Sequence, residues 1–160
     1  MTNLLVDIEE RAAETPGATA IGFRGQEFSY AEFWEQTGRF AKALADAGVE
    51  PGDCVGVYLP NLPQYVIAFH GILRAGGIVV PMNPQYKSRE ISHLLGDSGA
   101  TAVVALADLV PQVREVQDDT DVQTIISVGG DAEVLATWDG NPVAVKDGPV
   151  VGTSFHPELT

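Results

Sequence analysis

The sequence has little cysteine, little positive charge and no long apolar run. Its single cysteine, Cys54, excludes an internal disulfide and a zinc site made of several cysteines. The 9 Lys and Arg residues stand against 22 Asp and Glu residues, for a net charge of -13. This balance argues against a nucleic-acid or anionic-membrane binder, because phosphate groups are bound by basic surfaces. No apolar run reaches the ~18 residues of a membrane span and no basic segment indicates a secretory signal, so we predict a cytoplasmic protein.

Length and apolar content indicate one folded domain. A chain of 160 residues with 45% hydrophobic residues has room for one core and is too short for two complete enzyme domains. Its acidic residues are spread along the chain instead of forming a tail. A dispersed acidic surface keeps a protein soluble through self-repulsion that salt screens. We expect a protein from a salt-loving organism, with an ordinary acidic bacterial protein as the alternative.

Residues 4–128 show alternating helical and strand patterns. Such alternation predicts an α/β fold, with a partial parallel sheet and helices on both of its faces. A hairpin is predicted to turn at Arg24-Gly25. The helices are predicted at 4–14, 30–47, 64–75, 88–97 and 109–116, and the later strands at 54–59, 78–81, 101–105 and 123–128.

The pattern changes near Gly129-Gly130, after which no helical period occurs. Three short strands are predicted at 132–138, 142–146 and 149–155, with turn residues between them. They are expected to form a short antiparallel β meander. We therefore predict two parts, 1–128 and 129–160.

The first part resembles the N-terminus of the adenylate-forming enzymes, specifically the acyl-CoA synthetases of the AMP-binding family. The similar stretches keep the family's order and spacing; they are Phe28–Phe33 (FSYAEF), Leu44–Asn61, Tyr65–Pro84 and Ser88–Val104. The resemblance implies the N-terminal part of a large AMP-binding domain. It also implies a family chemistry in which ATP activates a carboxylic acid to an acyl-adenylate, which then passes to coenzyme A.

The residues that perform this chemistry in the family do not occur in the sequence. The Ser/Thr/Gly-rich loop that ends in Pro-Lys-Gly and holds the ATP phosphates is missing, as are the adenine, ribose and catalytic-lysine motifs. Phosphate loops need glycine, because backbone N–H groups must approach the phosphates closely. We expect no cofactor in this chain, since ATP, Mg and coenzyme A belong to full-length members. The chain is expected to be a truncated family member that is inactive alone.

The second part is similar to a different family. Residues 130–160 resemble the C-terminal end of the class I glutamine amidotransferase (glutaminase) subunit of pyridoxal 5'-phosphate synthase. In that family a Ser-Phe-His-Pro-Glu-Leu segment supplies two members of a Cys-His-Glu triad. The resemblance implies that His156 and Glu158 are the corresponding catalytic dyad, which is expected to be vestigial because a dyad without its thiol does not hydrolyse amides.

Cys54 is the one thiol that could complete such a triad. Gly52-Asp53-Cys54-Val55-Gly56 has the G-x-C-x-G spacing of a nucleophile elbow. An elbow requires a strand before the nucleophile and a helix after it, whereas here the apolar strand follows the cysteine. We predict a structural thiol at the start of a strand.

The histidines and carboxylates elsewhere are each open to a functional and a structural interpretation. His70 is predicted to be a partly buried helix residue with its hydrogen bonds satisfied. His93 with Glu90 has the spacing of a metal pair, but no third ligand is near, so a solvated helix face is favoured. Asp118, Asp119 and Asp121 are predicted to form a solvated acidic turn and not a calcium loop.

Glycine and aromatic clusters also have structural interpretations. Gly76-Gly77 follows a helix, whereas a dinucleotide loop follows a strand, so a helix cap is predicted. Phe33, Trp34 and Phe40 have helical spacing and are predicted to form a core stripe.

Three hypotheses for the function follow. In the first, the chain joins the start of an acyl-CoA synthetase to the end of a glutaminase, with a junction near Val128–Asp131. In the second, it is an amidotransferase remnant that contributes His156 and Glu158 to a partner. In the third, it is a non-catalytic interaction module that self-associates through uncovered apolar surface. No nucleic acid and no metal are expected.

Overall fold

The computed structural model describes residues 3–129 and the backbone of three further segments, 133–138, 141–147 and 150–152. The helices are α1 (Leu4–Glu14), α2 (Tyr30–Asp46), α3 (Pro63–Arg74), α4 (Ser88–Ser98) and α5 (Val110–Gln117), with a 3-10 turn at Ala107–Leu109. The strands are β1 (Thr19–Phe23), β2 (Gln26–Ser29), β3 (Cys54–Tyr58), β4 (Ile78–Pro81), β5 (Ala102–Leu106), β6 (Thr124–Val128), β7 (Glu133–Trp138), β8 (Asn141–Asp147) and β9 (Val150–Gly152).

The N-terminal elements begin and turn where the sequence predicts. The Asn3 side chain accepts a hydrogen bond from Leu5 N at 3.1 Å and caps α1. The predicted hairpin turns at Arg24 and Gly25, whose φ angles are 48° and 81°. Two successive positive φ values give the turn type whose twist matches that of the paired strands.

The central strands form the parallel sheet that the sequence predicts. β3 pairs in parallel with β4 on one side and with β5 on the other, and β5 pairs in parallel with β6. The strand order is β4-β3-β5-β6-β9-β8-β7. The direction in which strands are added therefore reverses at β3. The connection through α3 leads to β4 on one side of β3, and the connection through α4 then crosses β3 to reach β5 on the other side.

Helices cover both faces of the central strands. On one face, α2 and α3 pack over the sheet; the buried residues there include Phe40, Leu44, Val55, Val57, Ile67, Ile72, Val104 and Ile126. On the other face, α4 and α5 pack over it, with Tyr58, Ile91, Leu95, Val103, Val113 and Ile125 among the buried residues. Burial on both faces explains why β3 and β5 are continuous apolar runs.

The tail strands belong to the same sheet. β7 and β8 are antiparallel, as are β8 and β9, which confirms the predicted antiparallel pairing. β9 in turn pairs in parallel with β6, through Ile125 and Val150. The meander therefore continues the parallel sheet, a pairing that the sequence did not predict.

β4 is one of the two outer strands of this sheet, and its open edge is poor in hydrogen-bond donors. Ile78 N donates to Asp53 O and Met82 N to Val57 O, so the even positions face β3. Val79 and Pro81 therefore face the open edge, since neighbouring residues alternate in direction. Pro81 has no N–H, which weakens this edge as a template for a further strand. Ile78 is 52% exposed.

None of the helices in the described part of the chain is long and apolar enough to cross a membrane.

Candidate functional site

The strand order indicates a crevice at one end of the sheet. α3 leaves the carboxyl end of β3 towards one face, whereas α5, after the 3-10 turn, leaves the adjacent β5 towards the other. Open parallel sheets bind ligands where neighbouring connections diverge in this way. The register pairs Tyr58 with Ala105, so the connections 59–62 and 106–109 form the two sides of this crevice, which we call the switch crevice.

The residues of the switch crevice are mostly apolar. Pro60, Leu62, Leu106 and Ala107 are partly buried, and Asp108 is an exposed carboxylate. No glycine occurs in either connection, and Pro63 at the first turn of α3 removes one N–H from the helix start. Phosphate cradles use several approachable N–H groups and no nearby carboxylate. The crevice residues therefore suit an apolar group and do not suit the phosphates of ATP.

The Tyr58 hydroxyl connects three elements beneath the crevice. Tyr58 is fully buried, and its hydroxyl lies 2.7 Å from Tyr86 O and 2.6 Å from Gln112 Oε1. Both of these oxygens accept, and the single phenol proton is donated to one of them at a time. Burial raises the pKa of Tyr58. The hydroxyl therefore stays protonated and holds the connection after β4 against α5.

Arg74 joins α3 to α2. Its guanidinium lies 3.6 Å from the centre of the Trp34 ring, and it donates to Thr37 Oγ1 at 2.9 Å and to Trp34 O. A side chain at Gly38 would lie 3.0 Å from Arg74 Nη1, so this glycine leaves room for the cation. Burial lowers the pKa of Arg74, and Glu9 partly opposes that effect. Phe33 and Phe40 form the predicted core stripe at 4% exposure each, whereas Trp34 is only partly buried and carries the cation.

Cys54 is the first residue of β3 and is partly buried. A turn and not a strand precedes it, and the rest of β3 and not a helix follows it directly, so the nucleophile-elbow geometry is absent and the predicted position at the start of a strand is confirmed. Cys54 lies at the amino end of the parallel strands, opposite the switch crevice. The thiol is therefore remote from the end of the sheet where ligands are expected.

His156 and Glu158 lie outside the described residues. The last described strand, β9, runs parallel to β6, so it ends at the carboxyl side of the sheet. Gly152 is level with Tyr58 in register and three strands away from β3. Strand spacings place its Cα about 20 Å from that of Cys54.

Comparison with known proteins identifies the family. The model of the AMP-binding enzymes matches residues 8–157. The chain belongs to the AMP-binding enzyme family. The match continues past Val128–Asp131, so it includes the tail strands; the junction between two families stays a prediction.

The chain is similar to parts of much longer family members. It is 40% identical over 124 residues to a long-chain-fatty-acid–CoA ligase of Escherichia coli, which covers 76% of this chain and 22% of that protein. It is 34% identical over 119 residues to the ligase of Bacillus subtilis, covering 74% and 21%. A solved long-chain-fatty-acid–CoA ligase from Archaeoglobus fulgidus has a TM-score of 0.73 at 32% identity, over 79% of this chain and 27% of that one. The chain spans about a fifth of the length of these curated relatives.

The remaining sequence-predicted candidates occupy structural positions in this AMP-binding chain. His70 is partly buried, its Nδ1 lies 2.8 Å from Val66 O, and its ring meets Phe33 edge-on at 5.2 Å. A carbonyl only accepts, so Nδ1 carries the proton. The Glu90 carboxylate accepts from Lys87 N at 3.0 Å and caps α4, while His93 is exposed. Bonds from the backbone N–H groups of Glu90 and Lys87 lower the pKa of Glu90.

The glycine and acidic clusters are also structural. Gly76 has a φ of 80°, and Gly77 N donates to Ile72 O, which is the predicted helix cap. The three aspartates at 118, 119 and 121 are exposed on the turn after α5. Within residues 3–129 no three His, Cys, Asp or Glu side chains come together in a way that could hold a metal ion.

Sequence reasoning missed the switch crevice and the Tyr58 contacts. Nothing local in Pro60-Asn61 indicates this role, because the strand order that makes the segment one side of a crevice is not a local signal. The signal that could have found it is the parallel βαβ pattern itself, since ligand sites in such sheets lie at the carboxyl ends of strands.

Proposed function

We propose that these 160 residues are the N-terminal α/β part of an acid–CoA ligase. In the proposed reaction a carboxylate attacks the α-phosphate of ATP, giving an acyl-adenylate and pyrophosphate; the thiol of coenzyme A then displaces AMP and forms the thioester. The observation that carries the proposal is the family match over residues 8–157, together with 40% identity to a long-chain-fatty-acid–CoA ligase. A long-chain fatty acid is the proposed substrate class.

The switch crevice is proposed to contact the hydrocarbon part of the acid. Its sides are formed by Pro60, Leu62, Leu106 and Ala107, which are apolar and partly exposed. Phosphate groups would meet Asp108 and would find neither glycine nor a free N–H at Pro63. The fit of the crevice to an apolar group is thus better than its fit to a nucleotide.

The chain is proposed not to adenylate an acid by itself. ATP, Mg and coenzyme A are the family's co-reactants, and the sequence contains no glycine-rich phosphate loop ending in Pro-Lys-Gly. The described residues do not fit ATP, so we assign none of them to the step at its α-phosphate. The role left to these residues is to form the sheet, to position the crevice and to contact the acid.

A chimera tests the ligase assignment. The matched stretch of 124 residues in the Escherichia coli ligase is replaced by the corresponding stretch of this chain, and AMP formation is measured with dodecanoate, ATP and coenzyme A. We expect acid-dependent AMP formation within about tenfold of the parent enzyme. A chimera that unfolds cooperatively like the parent but forms no AMP would contradict the proposal.

A variant at Leu62 tests the crevice separately. Leu62 is the N-cap of α3 and makes no side-chain cap bond, so Leu62→Asn adds a favourable cap, worth about 0.5–2 kcal/mol, while it makes the crevice polar. In the chimera we expect an unchanged or higher melting temperature and a KM for dodecanoate raised at least fivefold. Leu4→Asn, on the 50% exposed Leu4 of α1, is the control. Equal KM values for both variants would contradict the crevice assignment and leave the ligase assignment intact.

The glutaminase resemblance supports a second proposal, that His156 and Glu158 are a vestigial dyad which Cys54 does not complete. The position of Cys54 supports it, because Cys54 begins β3 and lacks the strand-then-helix arrangement that presents a nucleophile to its base. We expect a glutamine-analogue alkylating reagent to label Cys54 no more in the parent chain than in His156→Ala. Labelling that is lost in His156→Ala would instead show an assembled Cys-His site.

Self-association and the setting of the protein are further proposals. A non-catalytic interaction module would self-associate through exposed apolar residues, of which Leu4, Val6 and Ile78 are the large ones in the described part of the chain. Sedimentation at several protein concentrations tests this; a monomer throughout would contradict it. We also propose that the protein is cytoplasmic and comes from a salt-loving organism. The net charge of -13 supports the second of these, because salt screens the self-repulsion of an acidic surface.

A further inference from the structure

We draw no further inference here: the strongest candidate, the partly exposed apolar stripe of Tyr65, Val66, Phe69 and Leu73 along α3, carries nothing because nothing in the structure shows what covers it.

Discussion

Replacing Gly71 by alanine tests the close packing of α2 against α3. A Cβ at Gly71 would lie 2.6 Å from Phe40 Cδ1, 3.1 Å from Phe40 Cβ and 3.2 Å from Thr37 O. Phe40 is 4% exposed and cannot move outward without opening the core, and Thr37 O is backbone. Overpacking of this kind costs about 1–3 kcal/mol, whereas exchanging glycine for alanine in a helix gains up to about 1 kcal/mol. We expect Gly71→Ala to lower the free energy of unfolding by up to about 2 kcal/mol.

Gly96→Ala is the matched control, because Gly96 also lies inside a helix. No atom lies within 4 Å of a Cβ placed there, so only the propensity gain remains, and this variant is expected to be more stable than the parent. The two variants should differ by about 1–3 kcal/mol, which is the overpacking cost alone. Urea unfolding measures the free energy of unfolding of each variant. In thermal unfolding, the melting temperatures should differ by about 2–4 °C for each kcal/mol of difference in that free energy. Equal stabilisation by the two substitutions would refute the packing argument.

Three other perturbations address the hydroxyl contacts, the helix cap and the surface charge. Tyr58→Phe is expected to cost about 1–3 kcal/mol in urea unfolding because it removes the partner of Gln112 and Tyr86 O; Tyr65→Phe, which keeps its ring stacked on Phe69, should change little, and equal effects would disprove the role of the hydroxyl. Glu90→Gln should be less stable than the parent at neutral pH. The lowered pKa of Glu90 gives stability that is present above the unfolded pKa and lost as pH falls through the folded one, so the two proteins should converge in acid; a difference that does not depend on pH would contradict this. The chain should need molar salt to fold fully, because salt screens its self-repulsion, and should bind a dye for apolar surface; a sharp melt in dilute buffer with little dye binding would refute both expectations.

Local sequence signals accounted for the elements and for a parallel sheet covered on both faces, but not for the contacts between residues and strands that are distant in the chain. Pro63 and Gly76 fix the start and end of α3 through their own backbone chemistry, so both could be placed from the sequence. The contact of the Tyr58 hydroxyl with Gln112 spans 54 residues, and no periodicity reports it. The parallel pairing of β9 with β6 is likewise non-local, and it turned a predicted separate meander into part of one sheet.

The sequence could exclude a nucleophile elbow at Cys54, but it could not locate the switch crevice. Cys54 could be excluded as an elbow nucleophile because the strand follows it, which is a matter of residue order alone. The switch crevice depends on β3 lying between β4 and β5, and on which face each helix covers. Trp34 shows the same limit: its spacing predicts a core residue, but Arg74, 40 residues later, determines what its ring contacts.

We propose that the described residues form the sheet and the acid-contacting crevice of a ligase and do not hold the ATP phosphates. Acid-dependent exchange of labelled pyrophosphate into ATP by the purified 160-residue chain tests it most directly, because exchange requires adenylation and nothing after it. With dodecanoate and Mg present, we expect no exchange above an acid-free blank, at any salt concentration in which the chain is folded. Exchange that depends on the acid and persists at constant specific activity through purification would show that the chain binds the ATP phosphates after all.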